Sequence, residues 1–157
     1  MAKIEKMKID EKYMRRCLQL AMKGRGATLP NPMVGAVIVE NGEIIGEGYH
    51  QRYGGPHAEV NAINSVVDKG RLSNSTIYVS LEPCAHYGKT PPCAELIVSS
   101  GIPRVVVATT DPNPAVAGKG IDILRNAGVE VATDVLKYEA MALNRVFITN
   151  QVYKRPY

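Results

Sequence analysis

Apolar and polar positions along the chain follow two periods, and the switches between them outline a series of helices and strands. Met14, Cys17, Leu18 and Ala21 recur at i, i+3, i+4 and i+7, the spacing of one helix face, and predict a first helix capped by Asp10 and ended at Gly24. Val34 to Val39 and Ile44 to Tyr49 are rich in strand formers and flank Asn41-Gly42, the dipeptide that best tolerates the positive backbone angles of a tight hairpin. Downstream the pattern predicts a helix from Ala58 to about Val67, a strand from Thr76 to Ser80 and a short helix from Cys93 to Ser99. A buried strand from Arg104 to Ala108, a helix from Ile121 to Ala127 stopped by Gly128, and a strand from Val129 to Ala132 follow. A last helix carries Leu136, Ala140, Leu143 and Phe147 on one face.

This order predicts an α/β fold of three layers, with a five-stranded mixed sheet covered by helices on both faces and strand-to-helix turns along one edge. Ligand sites in such sheets gather at those turns. With 157 residues, 45% of them hydrophobic and 22% charged, the chain has the size and composition of one ordinary globular domain. No stretch approaches the roughly 18 to 20 apolar residues that cross a bilayer, so no membrane partner is expected. Met1 to Lys12 has no apolar segment of the secretory kind, and a cytoplasmic location is expected.

Charge changes this picture little. Residues 1 to 25 hold eight Lys or Arg against three acids, while the remainder holds eleven against twelve, so the net +4 is a local excess. A nucleic-acid groove wants basic residues spread along a surface with stacking aromatics. Here Trp is absent and Phe147 is the single Phe, so no nucleic-acid partner is expected.

The candidate chemistry stands at the predicted turns. His57-Ala58-Glu59 opens the second helix, Pro83-Cys84 follows the third strand, and Pro92-Cys93 opens the next helix. Three cysteines are too few, and odd in number, for a disulfide framework, and Cys17 falls on the apolar stripe of the first helix, where it packs as a small buried side chain. That leaves one imidazole and two thiols, a donor set that suits zinc, and three protein ligands leave a fourth position for water. Cys93, at a helix amino terminus, is placed for a thiolate. Glu59 is the candidate proton carrier. Two residues apart in a regular helix, His57 and Glu59 would point away from one another, so the pair works only if His57 lies at the helix entry.

A His-x-Glu element with Pro-Cys pairs is the signature of zinc deaminases. In those acting on cytidine or tRNA the cysteines usually stand two residues apart, whereas eight residues separate Cys84 from Cys93 here. The segment from Glu82-Pro83-Cys84 through His86, Lys89 and Thr90 to Pro92-Cys93 resembles the deaminase domain of the bacterial riboflavin-biosynthesis pyrimidine deaminase/reductases. The resemblance extends through Asn31-Pro32-Met33-Val34-Gly35, His50, Tyr53-Gly54, His57-Ala58-Glu59, Asp111-Pro112-Asn113-Pro114 and Ala117-Gly118-Lys119-Gly120, and covers nearly everything after Asp10.

The resemblance implies a cytidine-deaminase-like fold and hydrolytic deamination of a diaminopyrimidinone ribose phosphate to the aminouracil ribose phosphate. It implies zinc held by His57, Cys84 and Cys93, with Glu59 moving protons. Asn31, His50, His86, Lys89, Thr90, Asp111 and Asn113 are the expected substrate contacts. Gly118-Lys119-Gly120 before a helix is a weaker candidate for a phosphate site. A deaminase domain over residues 1–150 is expected, with 151–157 resembling the start of a connection to a reductase domain. No reductase activity is expected, and an assembly of at least two copies is. Two alternatives stay open: a zinc deaminase of another nucleobase, nucleotide or tRNA, and a non-catalytic zinc domain in which His86 completes a closed tetrahedron.

Overall fold

The hairpin forms where the sequence places it, because Asn41 (φ 51°) and Gly42 (φ 78°) both adopt the positive angles that a two-residue turn between twisted strands requires. It joins β1 (Gly35–Glu40) to β2 (Glu43–Tyr49). The remaining strands are β3 (Ser75–Val79), β4 (Arg104–Val107) and β5 (Glu130–Ala132). The helices are α1 (Lys3–Met22), α2 (Ala58–Ser65), α3 (Cys93–Ser99), α4 (Lys119–Asn126) and α5 (Lys137–Leu143). This computed structural model describes residues 3–87 and 90–145.

The sheet order is β2-β1-β3-β4-β5, antiparallel from β2 to β3 and parallel from β3 to β5, where α3 and α4 serve as crossovers. Successive side chains point to opposite faces. Ala36, Ile38, Ile77, Val79, Val105 and Val107 therefore pack beneath α2, α3 and α4. Val37, Val39, Tyr78 and Val106 pack against Tyr13, Met14, Cys17 and Leu20 of α1 and Ala140 of α5. Burial on both faces explains why the central strands read as continuous apolar runs. The three-layer expectation holds, and Cys17 is fully buried with its thiol on the Tyr78 carbonyl at 3.3 Å.

The first helix differs from expectation. It begins at Lys3, so Asp10 is an interior residue and not a cap. Its carboxylate turns into the protein, accepting from the Tyr78 hydroxyl at 2.8 Å and from the Arg104 guanidinium at 3.1 and 2.8 Å. A local rule assigned Asp10 to the helix end, whereas two partners far along the chain hold it. Helix α2 stops at Ser65 and a 3₁₀ helix, Lys69–Asn74, follows, which the pattern did not indicate. Phe147 and the tail lie outside the described residues.

Helix α2 sits so close to β2 that a Cβ on Gly48 would lie 2.4 Å from the Ala62 nitrogen. Asn61 adds a hydrogen bond from Nδ2 to the Tyr49 carbonyl at 2.9 Å. Together they set where the amino end of α2 points.

Candidate active site

His57 is the residue that leads into α2, with extended backbone angles (φ −71°, ψ 164°), and Glu59 lies in the first turn. That is the geometry the pair requires, because outside the helix proper the imidazole is free of the helical fan of side chains. Cys84 follows β3 in a loop, and Cys93 is the first residue of α3. The first N–H groups of a helix have no partner within it. In α3 they turn to Cys84: Cys93 N–H donates to the Cys84 sulfur at 3.2 Å and Ala94 N–H to the Cys84 carbonyl at 3.1 Å.

The ligand atoms of His57, Cys84 and Cys93 all lie within 4.8 Å of one another. His57 Nδ1 is 3.4 Å from the Cys93 sulfur and 3.8 Å from that of Cys84. Zinc bonds of about 2.0 to 2.3 Å place tetrahedral ligands roughly 3.3 to 3.8 Å apart, and both imidazole–sulfur separations fall in that range. Among the described residues this is the group able to share an ion, and His86 is not in it.

The thiols divide one proton between them. Donation from Cys93 and His57 pulls Cys84 down to about 4, while the same hydrogen bond and burial hold Cys93 up. The bond to Cys84 raises His57. Glu59 is 4% exposed, and burial pushes its carboxyl up to about 7. A buried carboxyl with a pKa near neutrality can accept and return a proton under physiological conditions.

A cavity of about 200 Å³ opens beside these groups, and Asn31, His50, Glu59, Cys84, His86 and Asp111 line it. Four of the expected substrate contacts are thus brought to one place. Burial and the nearby Glu82 raise the Asp111 carboxyl. Asn113 is not part of the cavity wall: its Oδ1 accepts from Ala115 N–H at 3.0 Å, and its own N–H donates to Asp111 Oδ1 at 2.9 Å, a turn held by side chains. Thr90 is exposed and does not line the cavity, and Lys89 lies outside the described residues.

The phosphate reading of Gly118-Lys119-Gly120 is corrected by Glu82, which is buried at 7% exposure. Its Oε1 accepts from Asp111 N–H at 3.0 Å and Gly118 N–H at 2.9 Å, and its Oε2 from Ile121 N–H at 3.2 Å. A carboxylate from the chain itself takes the anion position at the start of α4. Gly120 allows the close approach, since a Cβ there would lie 1.9 Å from the Pro83 carbonyl oxygen. The loop carrying Cys84 is therefore clamped to α4. Glu82 stood within the motif, but nothing local shows that its carboxylate reaches residues so far ahead.

Residues 7–109 match the family described as the cytidine and deoxycytidylate deaminase zinc-binding region. The chain belongs to this family. It is 53% identical over 149 residues to the riboflavin biosynthesis protein RibD of Aquifex aeolicus, an alignment covering 95% of this chain and 41% of that protein. It is 46% identical over 138 residues to the diaminohydroxyphosphoribosylamino-pyrimidine deaminase of Buchnera aphidicola, covering 88% of this chain and 92% of the relative. The solved structure of Acinetobacter baumannii RibD superposes with a TM-score of 0.91 at 47% identity, covering 96% of this chain and 42% of that one. The chain thus spans about two-fifths of the RibD proteins that it matches and nearly all of the Buchnera protein. Among its described residues, no helix is long and apolar enough to cross a membrane.

Proposed function

We propose that this chain catalyses the zinc-dependent hydrolytic deamination of a diaminopyrimidinone ribose phosphate to the corresponding aminouracil, with release of ammonia. One observation carries the reading: an imidazole nitrogen and two sulfurs lie close enough to share an ion, and His57 and Cys84 of that group line the same cavity as the buried carboxyl of Glu59. The substrate class is supported by the likeness to proteins named for riboflavin biosynthesis and for this deamination.

His57 Nδ1 and the sulfurs of Cys84 and Cys93 would hold the zinc, which when bound would supply the Lewis acidity that makes water a nucleophile at neutral pH. Glu59 takes one proton from the attacking water and delivers it to the ring nitrogen, then takes the second from the added hydroxyl and delivers it to the amine as the carbon–nitrogen bond breaks and the carbonyl forms, so that water enters and ammonia leaves. Asn31, His50, His86 and Asp111 line the cavity that takes the pyrimidine. Because His86 stands apart from the three ligand atoms, the closed tetrahedron of a purely structural zinc lacks its fourth donor.

The test is ammonia release from the diaminopyrimidinone ribotide compared with cytidine, deoxycytidylate, guanine and tRNA. Turnover of the ribotide with little activity on the rest is expected. Turnover of another member in its place overturns the substrate assignment. A homo-oligomer of at least two copies is part of this reading, supported by the exposed Ile4 and Met7 on α1, and sedimentation of the purified chain measures it.

A further inference from the structure

Met33 precedes β1, and its backbone has no partner in the sheet, since the pairing with β2 begins at Gly35. A half-buried peptide without a ladder must find its hydrogen bonds elsewhere. Asn144, the residue that closes α5, supplies both: its Oδ1 accepts from Met33 N–H at 2.8 Å and its Nδ2 donates to the Met33 carbonyl at 2.8 Å. A side-chain amide here does what a neighbouring strand would do, and two bonds fix the orientation of the peptide as well as its position.

Met33 is joined to Asn31 through Pro32, whose ring locks φ and makes the link stiff. Asn31 is held on its other side by Thr28, through Asn31 N–H to the Thr28 carbonyl at 2.7 Å and Thr28 Oγ1 to the Asn31 carbonyl at 3.1 Å. Its side chain meets His50 Nε2 at 3.2 Å at the cavity wall. The segment from Thr28 to Met33 is therefore fixed at both ends, one end by itself and the other by a helix on the opposite face of the sheet.

We propose that Asn144 is a positioning residue for the pyrimidine cavity: its two hydrogen bonds to Met33 hold Asn31 at the place where it meets the substrate. The proposal rests on the reading of that cavity as the substrate site. Asn144 spends both polar atoms of its amide on Met33, so it acts through Asn31 and not by touching the pyrimidine.

The experiment compares Asn144→Ala with Glu139→Gly in the zinc-loaded protein. Glu139 is exposed on α5, and glycine there weakens the helix without removing either bond to Met33. Asn144→Ala is expected to raise KM for the diaminopyrimidinone ribotide about tenfold while kcat stays within about threefold, and Glu139→Gly to leave KM unchanged at a comparable loss of Tm. In substrate-free protein, the side-chain amide resonances of Asn31 are expected to move in Asn144→Ala and to stay in place in Glu139→Gly. Equal KM shifts at equal Tm loss, or an unmoved Asn31 amide, would overturn the proposal. Wild-type protein inactive on the ribotide would defeat the functional reading instead, and the Asn31 resonances would still report on Asn144.

Discussion

His50 Nε2 stands 3.2 Å from Asn31 Nδ2, while its other ring nitrogen, Nδ1, lies 3.0 Å from the Pro56 carbonyl. A carbonyl only accepts, so Nδ1 carries the proton and Nε2 accepts from the Asn31 amide. Burial lowers the His50 pKa and keeps the ring neutral, as this chain of bonds requires. The Asn31 Nδ2 is thereby committed to His50, and under the proposed function Oδ1 accepts from a substrate N–H. Asn31→Asp removes the donor to His50 and places a charge at the cavity, and a rise in KM of about tenfold or more is expected in steady-state ammonia release. An unchanged KM would remove Asn31 from the substrate contacts.

Glu59→Gln keeps the size of the side chain and removes its capacity to carry a proton. The variant is expected to bind one zinc per chain, as read by metal analysis, and to lose about 10²- to 10⁴-fold in kcat. Loss of the metal together with activity would assign Glu59 to the integrity of the site and not to proton transfer.

Glu82→Ala leaves three N–H groups, the buried one of Ile121 and the half-buried ones of Asp111 and Gly118, without their acceptor. A loss of about 3 kcal/mol or more in denaturant unfolding is expected, since each hydrogen bond to a charged group contributes about 1.5 to 3 kcal/mol. Because Pro83 and Cys84 follow directly, zinc affinity measured by chelator competition should drop about tenfold or more. A stability loss with zinc affinity intact would separate the clamp from the metal site.

Asp10 and Arg104 form an ion pair at 2.8 Å in which both side chains are largely buried, and burial together with the bond to Asp10 raises the Tyr78 pKa. Arg104→Ala would leave the Asp10 carboxylate buried beside a phenol and without its cation. A cost of about 3 to 5 kcal/mol is expected, whereas the double change Asp10→Leu with Arg104→Met should recover much of it. Thermal unfolding of the two single variants and the double variant measures the coupling.

Glu47 pairs with Arg16 at 2.6 Å, and the guanidinium holds its carboxyl below the usual range. A carboxylate with a depressed folded pKa adds stability that is fully present above its unfolded value, about 4.3, and is lost as pH falls through the folded value. The pair is about one-third exposed, so solvent screening limits it to about 1 kcal/mol or less. Glu47→Gln is expected to be less stable than wild type by that amount at pH 7, and the difference is expected to vanish once the pH has fallen through the folded pKa of Glu47. A difference that persists in acid would show that packing, and not charge, is what the variant loses.

The elements of this chain were legible wherever the physics is local. Among the described residues, period-two and period-3.6 patterns located the five strands and the five α-helices to within a few residues at most ends, because burial of one face repeats along the chain. The beginning of α1 escaped that logic. Lys3 to Ile9 carries mixed charge and exposed Ile4 and Met7, so no apolar stripe announced it, and Asp10 looked like its cap. The 3₁₀ helix at Lys69–Asn74 also escaped, since a capping aspartate and one buried leucine make a weak signal.

By itself the sequence determined which groups arrive at the sheet edge, because His57, Glu59, Cys84 and Cys93 are tied to the ends of elements whose formation depends on near neighbours. Only the tertiary structure decided what those ends meet. The amino terminus of α4 attracts any anion, and whether a phosphate or Glu82 satisfies it depends on how closely the Pro83 loop packs on Gly120. The free peptide of Met33 accepts any matching pair of polar atoms, and Asn144 supplies them only because the sheet lies between β1 and α5 as it does. Hydrogen-bonding demand is written residue by residue, but its satisfaction is chosen among distant groups by packing, and no pattern along the chain encodes that choice.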